Sequence, residues 1–391
     1  MANQHTHGWT KEEREWLKNN YPYLTREEII KWCEKHNRSY KAVINQASYL
    51  GIKKDKQHLK KSKGGDKMSK VLVDLEEFVD TLLEKFKEKP PRVRIPKAKP
   101  SSGKLKEDAI LVLSDIHVGK KNVFVDLRTG KAVETYNKKI MWKEAGRLVE
   151  SIQMINDLLN KSYNLETLCI FCLGDIVDND IIYSGQRFFV EAGAGAQVIE
   201  AVKLLSFLIK EFLKMFKKIH IVVIGGNHGR LSGNSRTAHP WYNNLDWLVG
   251  QMLQISFKNI DRVKIETPES WFFIKQINGW KYLLHHGAGI PAWMGFPYYG
   301  ISRRALARKA EMDIDVEIIG HFHRIFEIPV SSRSITFVNG CWIEKDEYSW
   351  QKYGYLTYPQ QLYFGSSKKR PVTWQFKLDL KKRLDVNYWF N

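Results

Sequence analysis

Five short apolar runs rich in β-prone residues punctuate the chain, each closed by glycine or a polar residue: Ala109–Leu113, Leu168–Leu173, Ile219–Ile224, Trp280–Leu284 and Asp315–Ile319. Short runs closed by turn formers predict buried strands. Between them, stretches 142–160 and 196–216 carry apolar residues at helical spacing. Strands alternating with helices predict an α/β fold, in which ligands collect outside the carboxyl ends of the strands. The polar residues that follow the five runs would then meet at one mouth, although they span about 200 residues of sequence. Beyond Phe337, stretches 338–365 and 372–386 predict strands that complete the second sheet of a sandwich, with their Trp and Tyr residues packing the core and sheet faces.

The amino-terminal pattern differs. Residues 9–54 predict three short helices: Thr10 with Glu13 and Thr25 with Glu28 match the capping box, Ser39 suits a third cap, and Gly51 a third stop. Trp9, Leu17, Tyr21, Ile29, Ile30, Val43, Ala47 and Leu50 would form their core. Residues 71–87 then read as an amphipathic helix, with Leu72, Leu75, Val79, Leu82 and Phe86 in 3-4-3-4 spacing. About two heptads allow either packing on its own domain or a homodimer contact. Residues 90–106, rich in proline, lysine and serine, read as a semi-extended basic linker. The expected organisation is a helical module over 8–56, a connecting segment over 57–107 and an α/β domain over 108–391.

With 391 residues and 43% hydrophobic content, the chain can bury a real core. No run approaches the roughly 18 apolar residues of a membrane span and none near Met1 forms a signal region, so the expectation is a cytoplasmic protein without a membrane partner. Cys33, Cys169, Cys172 and Cys341 show no disulfide framework. Cys169 and Cys172 have CxxC spacing but lie inside an apolar run, where cysteine behaves as a small buried hydrophobe. A formal charge of +19 points to a polyanionic partner. Residues 1–107 carry 25 Lys+Arg against 15 Asp+Glu, so about half of the excess precedes the α/β domain.

The residues that follow the runs carry the chemistry: Asp115 and His117 in SDIHVG, Asp175 in LGDIVD, Asn227 in GGNHG, His286 in LLHHG, and His321 with His323 in GHFH. Imidazoles, carboxylates and one amide, without thiolate, suit Mn²⁺, Zn²⁺ or Fe better than Ca²⁺. Two such ions can acidify a water and neutralise a phosphate, which makes hydrolysis the natural reaction. GHFH or GDIVD alone would be an ordinary loop; five clusters in order are not. His285 and His286 compete for one position.

These motifs resemble D-x-H, G-D-x-x-D, G-N-H-D/E, H-G and G-H-x-H of the calcineurin-like metallophosphoesterase superfamily, over roughly Asp108 to Asn339. The resemblance implies a four-layer α-β-β-α sandwich and two divalent cations, Mn²⁺ foremost. One would be held by Asp115, His117, Asp175 and His323, the other by Asp175, Asn227, His286 and His321. His228 would be the catalytic histidine, aiding attack on phosphorus by a metal-bridging hydroxide and protonating the leaving oxygen. The chain departs from the pattern at Gly229, where relatives carry an acid that orients the histidine. Arg230 reads either as a phosphate contact or as a surface arginine.

Residues 8–54 resemble Myb/SANT-like helix-turn-helix modules in their W-T-x-E-E opening and R-S-x-x-A-V-x-x-x-A-x-x-L-G close. If the module binds DNA, its third helix would present Tyr40, Lys41, Ile44, Asn45 and Ser48 to the major groove, with Arg38, Lys53 and Lys54 on phosphates; the rival reading is protein docking. Residues 291–311, with their aromatics and arginines, read either as a channel for unpaired bases or as a loop and a basic solvated helix. The leading expectation is a DNA phosphodiesterase similar in its catalytic half to the Mre11/SbcD nucleases, a pairing of reader and nuclease that suits a bacterial or phage-infected cell. A phosphomonoesterase is the second reading, and a DNA-binding protein with an inactive phosphoesterase half, Gly229 being the lesion, is the third.

Overall fold

A computed structural model describes residues 8–53, 105–126, 128–232, 239–292, 297–332 and 334–381. The chain divides into two compact units, Met1–Pro90 and Pro91–Asn391. Lys54, the expected 71–87 helix and residues 90–104 of the expected linker lie outside the described residues, while Leu105 and Lys106, also read as linker, open a strand.

In the first unit, α1 (Lys11–Asn20), α2 (Arg26–Lys35) and α3 (Tyr40–Tyr49) follow the caps read from the sequence. Thr10 and Thr25 each accept the N–H of the glutamate three residues on, and each glutamate returns the contact to the cap N–H. Such caps stabilise a helix by about 1 kcal/mol each. Leu17, Tyr21, Ile29, Cys33, Val43 and Ala47 are buried together, with Trp9, Trp16, Trp32 and Leu50 around them. Ile30, expected in this core, is only half-buried, whereas Cys33 takes a buried place one helical turn from Ile29.

The second unit is a mixed α/β fold. Its strands are β1 (Leu105–Leu113), β2 (Asn122–Val125), β3 (Ala132–Tyr136), β4 (Tyr163–Leu173), β5 (Lys218–Ile224), β6 (Val263–Glu266), β7 (Phe272–Ile277), β8 (Trp280–His285), β9 (Val316–Ile319), β10 (Phe326–Ser331), β11 (Ser334–Val338), β12 (Gln360–Ser366) and β13 (Gln375–Asp379). The helices are α4 (Lys138–Leu159), α5 (Ala194–Phe212), α6 (Leu245–Phe257), α7 (Tyr298–Met312) and α8 (Glu347–Tyr353). A six-stranded sheet runs β13-β12-β1-β4-β5-β6, a five-stranded sheet β10-β11-β9-β8-β7, and β2 pairs with β3. The inward residues of the two large sheets share one core: Ile110, Val112, Phe171 and Val222 from the first meet Tyr282, Leu284, Val316, Ile318 and Phe337 from the second.

Two expectations are corrected. The strands beyond Phe337 do not complete the second sheet: only β11 belongs there, while β12 and β13 join the first sheet, with β12 antiparallel to β1. Leu362 and Phe364 alternate into the shared core, which sets the face that β12 must present. Residues 347–353, inside the same stretch, form α8, capped by Asp346 accepting from the Ser349 N–H. Cys169 and Cys172 lie on β4 three residues apart, an odd offset that sends their side chains to opposite faces of the sheet, so they form no shared metal site. Among the described residues no helix is long and apolar enough to cross a membrane.

Candidate metal centre

Parallel pairing of β1, β4 and β5, and of β8 and β9, puts five carboxyl ends together. The loops leaving them carry all seven residues of the sequence motifs. Asp115, His117, Asp175, His321 and His323 all have positive φ, between 49° and 71°, which makes them five of the ten non-glycine residues in that region among those described. Left-handed backbone at non-glycine positions costs energy and collects at functional sites. Here it turns short loops sharply enough to aim the side chains inward.

The donors fall into two groups whose ligand atoms lie within 4.8 Å of one another: Asp115, His117 and His323, and Asp175, His286 and His321. In the first, the His117 Nδ1–H donates to Asp178 Oδ1 at 2.8 Å, leaving Nε2 with a bare lone pair. That atom is 3.2 Å from His323 Nε2, which in turn is 3.4 Å from Asp115 Oδ1. In the second, the His286 Nδ1–H donates to the Leu173 carbonyl at 2.7 Å. Its Nε2 then faces Asp175 Oδ2 at 3.0 Å, Asn227 Oδ1 at 3.0 Å and His321 Nδ1 at 3.3 Å. Acceptors facing acceptors in a buried place need a positive charge among them. This donor set fits divalent cations of the Mn²⁺, Zn²⁺ or Fe type.

A third grouping, His117, Asp178 and His228, is a hydrogen-bonded chain. The His228 Nδ1–H donates to the Asp178 backbone carbonyl at 2.9 Å, and its N–H donates to Asp175 Oδ1 at 2.7 Å. Burial opposes charge on His228, but Asp175 and Asp178 outweigh it and raise its pKa. Burial would also neutralise His286, yet Asp175 drives it up to about 9, while burial and the neighbouring His286 press His321 down to about 3.

No acid stands at Gly229 to orient the histidine, and another residue takes that place. The histidine is oriented by Asp178, the second aspartate of GDIVD, whose backbone carbonyl accepts its Nδ1–H while the carboxylate stands 3.4 Å from the same nitrogen; sequence reasoning left this residue unassigned although its motif was in view. A side chain could not stand at 229, because a Cβ there would lie 2.2 Å from Asn244 Oδ1. Asn244 caps α6, its Oδ1 accepting the Asp246 N–H at 2.9 Å. We expect Gly229→Asp to lower stability by about 1–3 kcal/mol through overpacking, read as a lower unfolding midpoint with reduced metal uptake; an unchanged midpoint would contradict this packing.

Sequence reasoning also missed Asp246. Its two oxygens accept the N–H groups of Asp175, Ile176, Val177 and Gly226 at 2.9–3.2 Å and so tie the loops after β4 and β5 together. Burial, then the nearby Asp175, pushes its pKa up to about 6. Nothing in the local pattern distinguished it from a helix-start aspartate. Gly226 allows the same approach, since a Cβ there would lie 2.2 Å from the Asp175 nitrogen. His285 takes no part in the metal groups; its Nε2–H donates to Glu317 at 2.8 Å. Arg230 folds back, its Nε donating to the Asn227 carbonyl at 2.7 Å.

In the first unit, Lys41, Asn45 and Ser48 are exposed on one face of α3, and Lys53 is exposed beyond it. Two residues expected on DNA are otherwise engaged. Arg38 grips Glu13 through Nε at 3.0 Å and Nη2 at 2.8 Å and lies over Trp9, while Tyr40 packs against the helical core under Arg26.

Residues 109–325 match the family model described as calcineurin-like phosphoesterase. No curated protein matches. Solved structures with similar chains include a single mutant of Vps29 from Entamoeba histolytica, at 13% identity and TM-score 0.30, covering 69% of this chain and 99% of that one. A predicted phosphoesterase from Streptococcus pneumoniae TIGR4 has 9% identity and TM-score 0.27, covering 69% and 98%. A metallophosphoesterase from Sphaerobacter thermophilus has 17% identity and TM-score 0.26, covering 66% and 83%.

Proposed function

Since the chain belongs to the calcineurin-like phosphoesterase family, we propose that it is a metal-dependent phosphodiesterase that cleaves DNA, similar to the Mre11/SbcD nucleases. The observation that carries this reading is the pair of buried donor groups sharing one strand-end mouth with His228. The four-layer sandwich goes with it, supported by helices packing against both sheets. Two divalent cations, Mn²⁺ foremost, would supply Lewis-acid charge and an acidified water. Asp115, His117 and His323 would hold one, Asn227, His286 and His321 the other, and Asp175 both. The Asp178 backbone carbonyl accepts a hydrogen bond from the His228 Nδ1–H and fixes the ring, so that the imidazolium can deliver its Nε2 proton to the departing oxygen. Arg230, held on the Asn227 carbonyl, is placed to contact a substrate phosphate.

Choice of DNA rests on charge and on the first unit. A +19 chain with a capped three-helix unit resembling a Myb/SANT module suits a polyanionic duplex. Lys41, Asn45, Ser48 and Lys53 form the exposed set proposed to touch it, without Arg38 and Tyr40. Replacing Lys41 and Lys53 together by alanine should weaken duplex binding and reduce the slope of log affinity against log salt by about 2. Fluorescence anisotropy across a salt series checks this; an unchanged slope would favour the protein-docking reading. For the enzyme itself, the test is metal-dependent cleavage of labelled DNA against hydrolysis of a phosphomonoester. A preference for the monoester by orders of magnitude would select the phosphatase reading.

A further inference from the structure

The outer face of the five-stranded sheet is polar where its pattern should be apolar. Cross-strand pairing puts Phe272 opposite His285, Leu283 beside Glu317, and Glu317 beside Thr336, so these side chains share the face turned away from the common core. Further along that face Ile319 and Val338 pack against Ile301 of α7, as expected for a covered sheet. Glu317 is 1% exposed. It accepts from His285 Nε2 at 2.8 Å and from Thr336 Oγ1 at 2.8 Å, and it forms an ion pair with Arg308 of α7. A buried carboxylate held on several sides is costly unless it fixes something. What it fixes is Arg308, which is only three-quarters buried, with its Nη1 on Glu317 and its Nη2 and Nε without a protein partner among the described residues.

That guanidinium lines a cleft of about 490 Å³ that also takes in Arg230, Trp271, Phe272, Leu283 and Met312. The volume lies within the roughly 300–1,000 Å³ typical of small-ligand sites. The cleft reaches Asn227 and His286, so it opens directly onto the second metal group. Trp271 and Phe272, 36% and 43% exposed, offer aromatic surface on its wall. The Trp271 ring is held by its Nε1–H donating to the His239 carbonyl at 3.0 Å. The Arg230 side chain is held on the Asn227 carbonyl by Nε, leaving its two Nη groups without a protein partner among the described residues.

We propose that this cleft is a nucleotide subsite: an unpaired base stacks on Trp271 and Phe272, while Arg308 and Arg230 hold the phosphate next to the one being cleaved. Aromatic surface takes any base face, and two fixed guanidiniums take phosphate oxygens. A paired base inside a duplex cannot reach such a wall, so the substrate is single-stranded nucleic acid or a frayed end. The inference rests on the phosphodiesterase reading.

The test uses the full chain, first without metal. Equilibrium dialysis with radiolabelled 5′-AMP, ribose 5-phosphate and inorganic phosphate should show binding of 5′-AMP well above the other two. Trp271→Ala should weaken it on the order of tenfold, the size of one lost base stack, and Trp271→Phe should restore most of the affinity. Equal binding of 5′-AMP and ribose 5-phosphate, or equal 5′-AMP affinity in parent, Trp271→Ala and Trp271→Phe, would overturn the subsite. With Mn²⁺ added, the ratio of kcat/KM for a single-stranded oligonucleotide to that for methyl p-nitrophenyl phosphate should fall in Trp271→Ala through KM. Diester hydrolysis with an unaltered ratio sinks the subsite and leaves the phosphodiesterase; 5′-AMP binding through Trp271 with no diester hydrolysed sinks the phosphodiesterase and leaves the subsite.

Discussion

Exchanging Asp175 for asparagine is expected to strip the centre of metal and to cut DNA hydrolysis by about 10²–10³-fold or more, the scale on which single electrostatic groups act in catalysis. Asp175 is fully enclosed, and its two oxygens serve different partners: Oδ1 accepts the His228 N–H at 2.7 Å, and Oδ2 meets His286 Nε2 at 3.0 Å. An amide keeps the shape but supplies one neutral acceptor where two anionic ones stood. The loss should thus strike cation binding and the histidine loop together. Metal content by mass spectrometry and the single-turnover cleavage rate measure both. Retained metal with retained activity would remove Asp175 from its bridging role. Lost metal with intact DNA affinity and intact biological function would instead favour a DNA-binding protein whose phosphoesterase half is idle.

Truncating His228 to alanine should lower kcat by about 10²–10⁴-fold, the usual contribution of a positioned general acid, while the metal content stays that of the parent. The separation follows from geometry: His228 donates its Nδ1–H in a hydrogen bond to the Asp178 backbone carbonyl and is absent from both donor groups assigned to cations. Its pH behaviour has a definite sign. Burial disfavours the imidazolium, but Asp175 and Asp178 raise its pKa above the ordinary histidine value. The acid form therefore persists to higher pH than in a free imidazole, and activity that needs it declines as pH rises through the raised pKa. Asp178→Asn removes one raising charge and should move that alkaline limb to lower pH. A limb that stays in place would assign the proton to another group.

Metal uptake should have the opposite pH sign. Asp175 drives His286 up to about 9 against the effect of burial, so a cation must displace a proton from Nε2 to bind there. Below about pH 9 the apparent affinity should rise with pH by up to about tenfold per unit.

The metal-type residues were legible because each ends a buried strand and the parallel order carries strand ends to one side. Residues that act through the fold were less so. Asp246 reaches the loops after two different strands from the start of α6, and only tertiary structure shows that its oxygens meet four backbone N–H groups. Asp178 stood inside a motif, but its partner His228 lies 50 residues away. The misplaced carboxyl-terminal strands have a similar cause, because apolar alternation says which face of a strand is buried but not which sheet it joins. Arg38 reads as a phosphate contact from charge alone, and folding commits it to Glu13. The cleft beside His286 was invisible for the same reason, since Trp271, Glu317 and Arg308 come from separate elements.

If the two donor groups serve phosphodiester cleavage of DNA, the decisive assay is to incubate the full chain with Mn²⁺ and end-labelled linear, nicked and single-stranded DNA. Cleavage that requires the metal and stops on chelation is the predicted result; intact DNA in every form, under conditions where the same sample binds metal and hydrolyses a phosphomonoester, would contradict it.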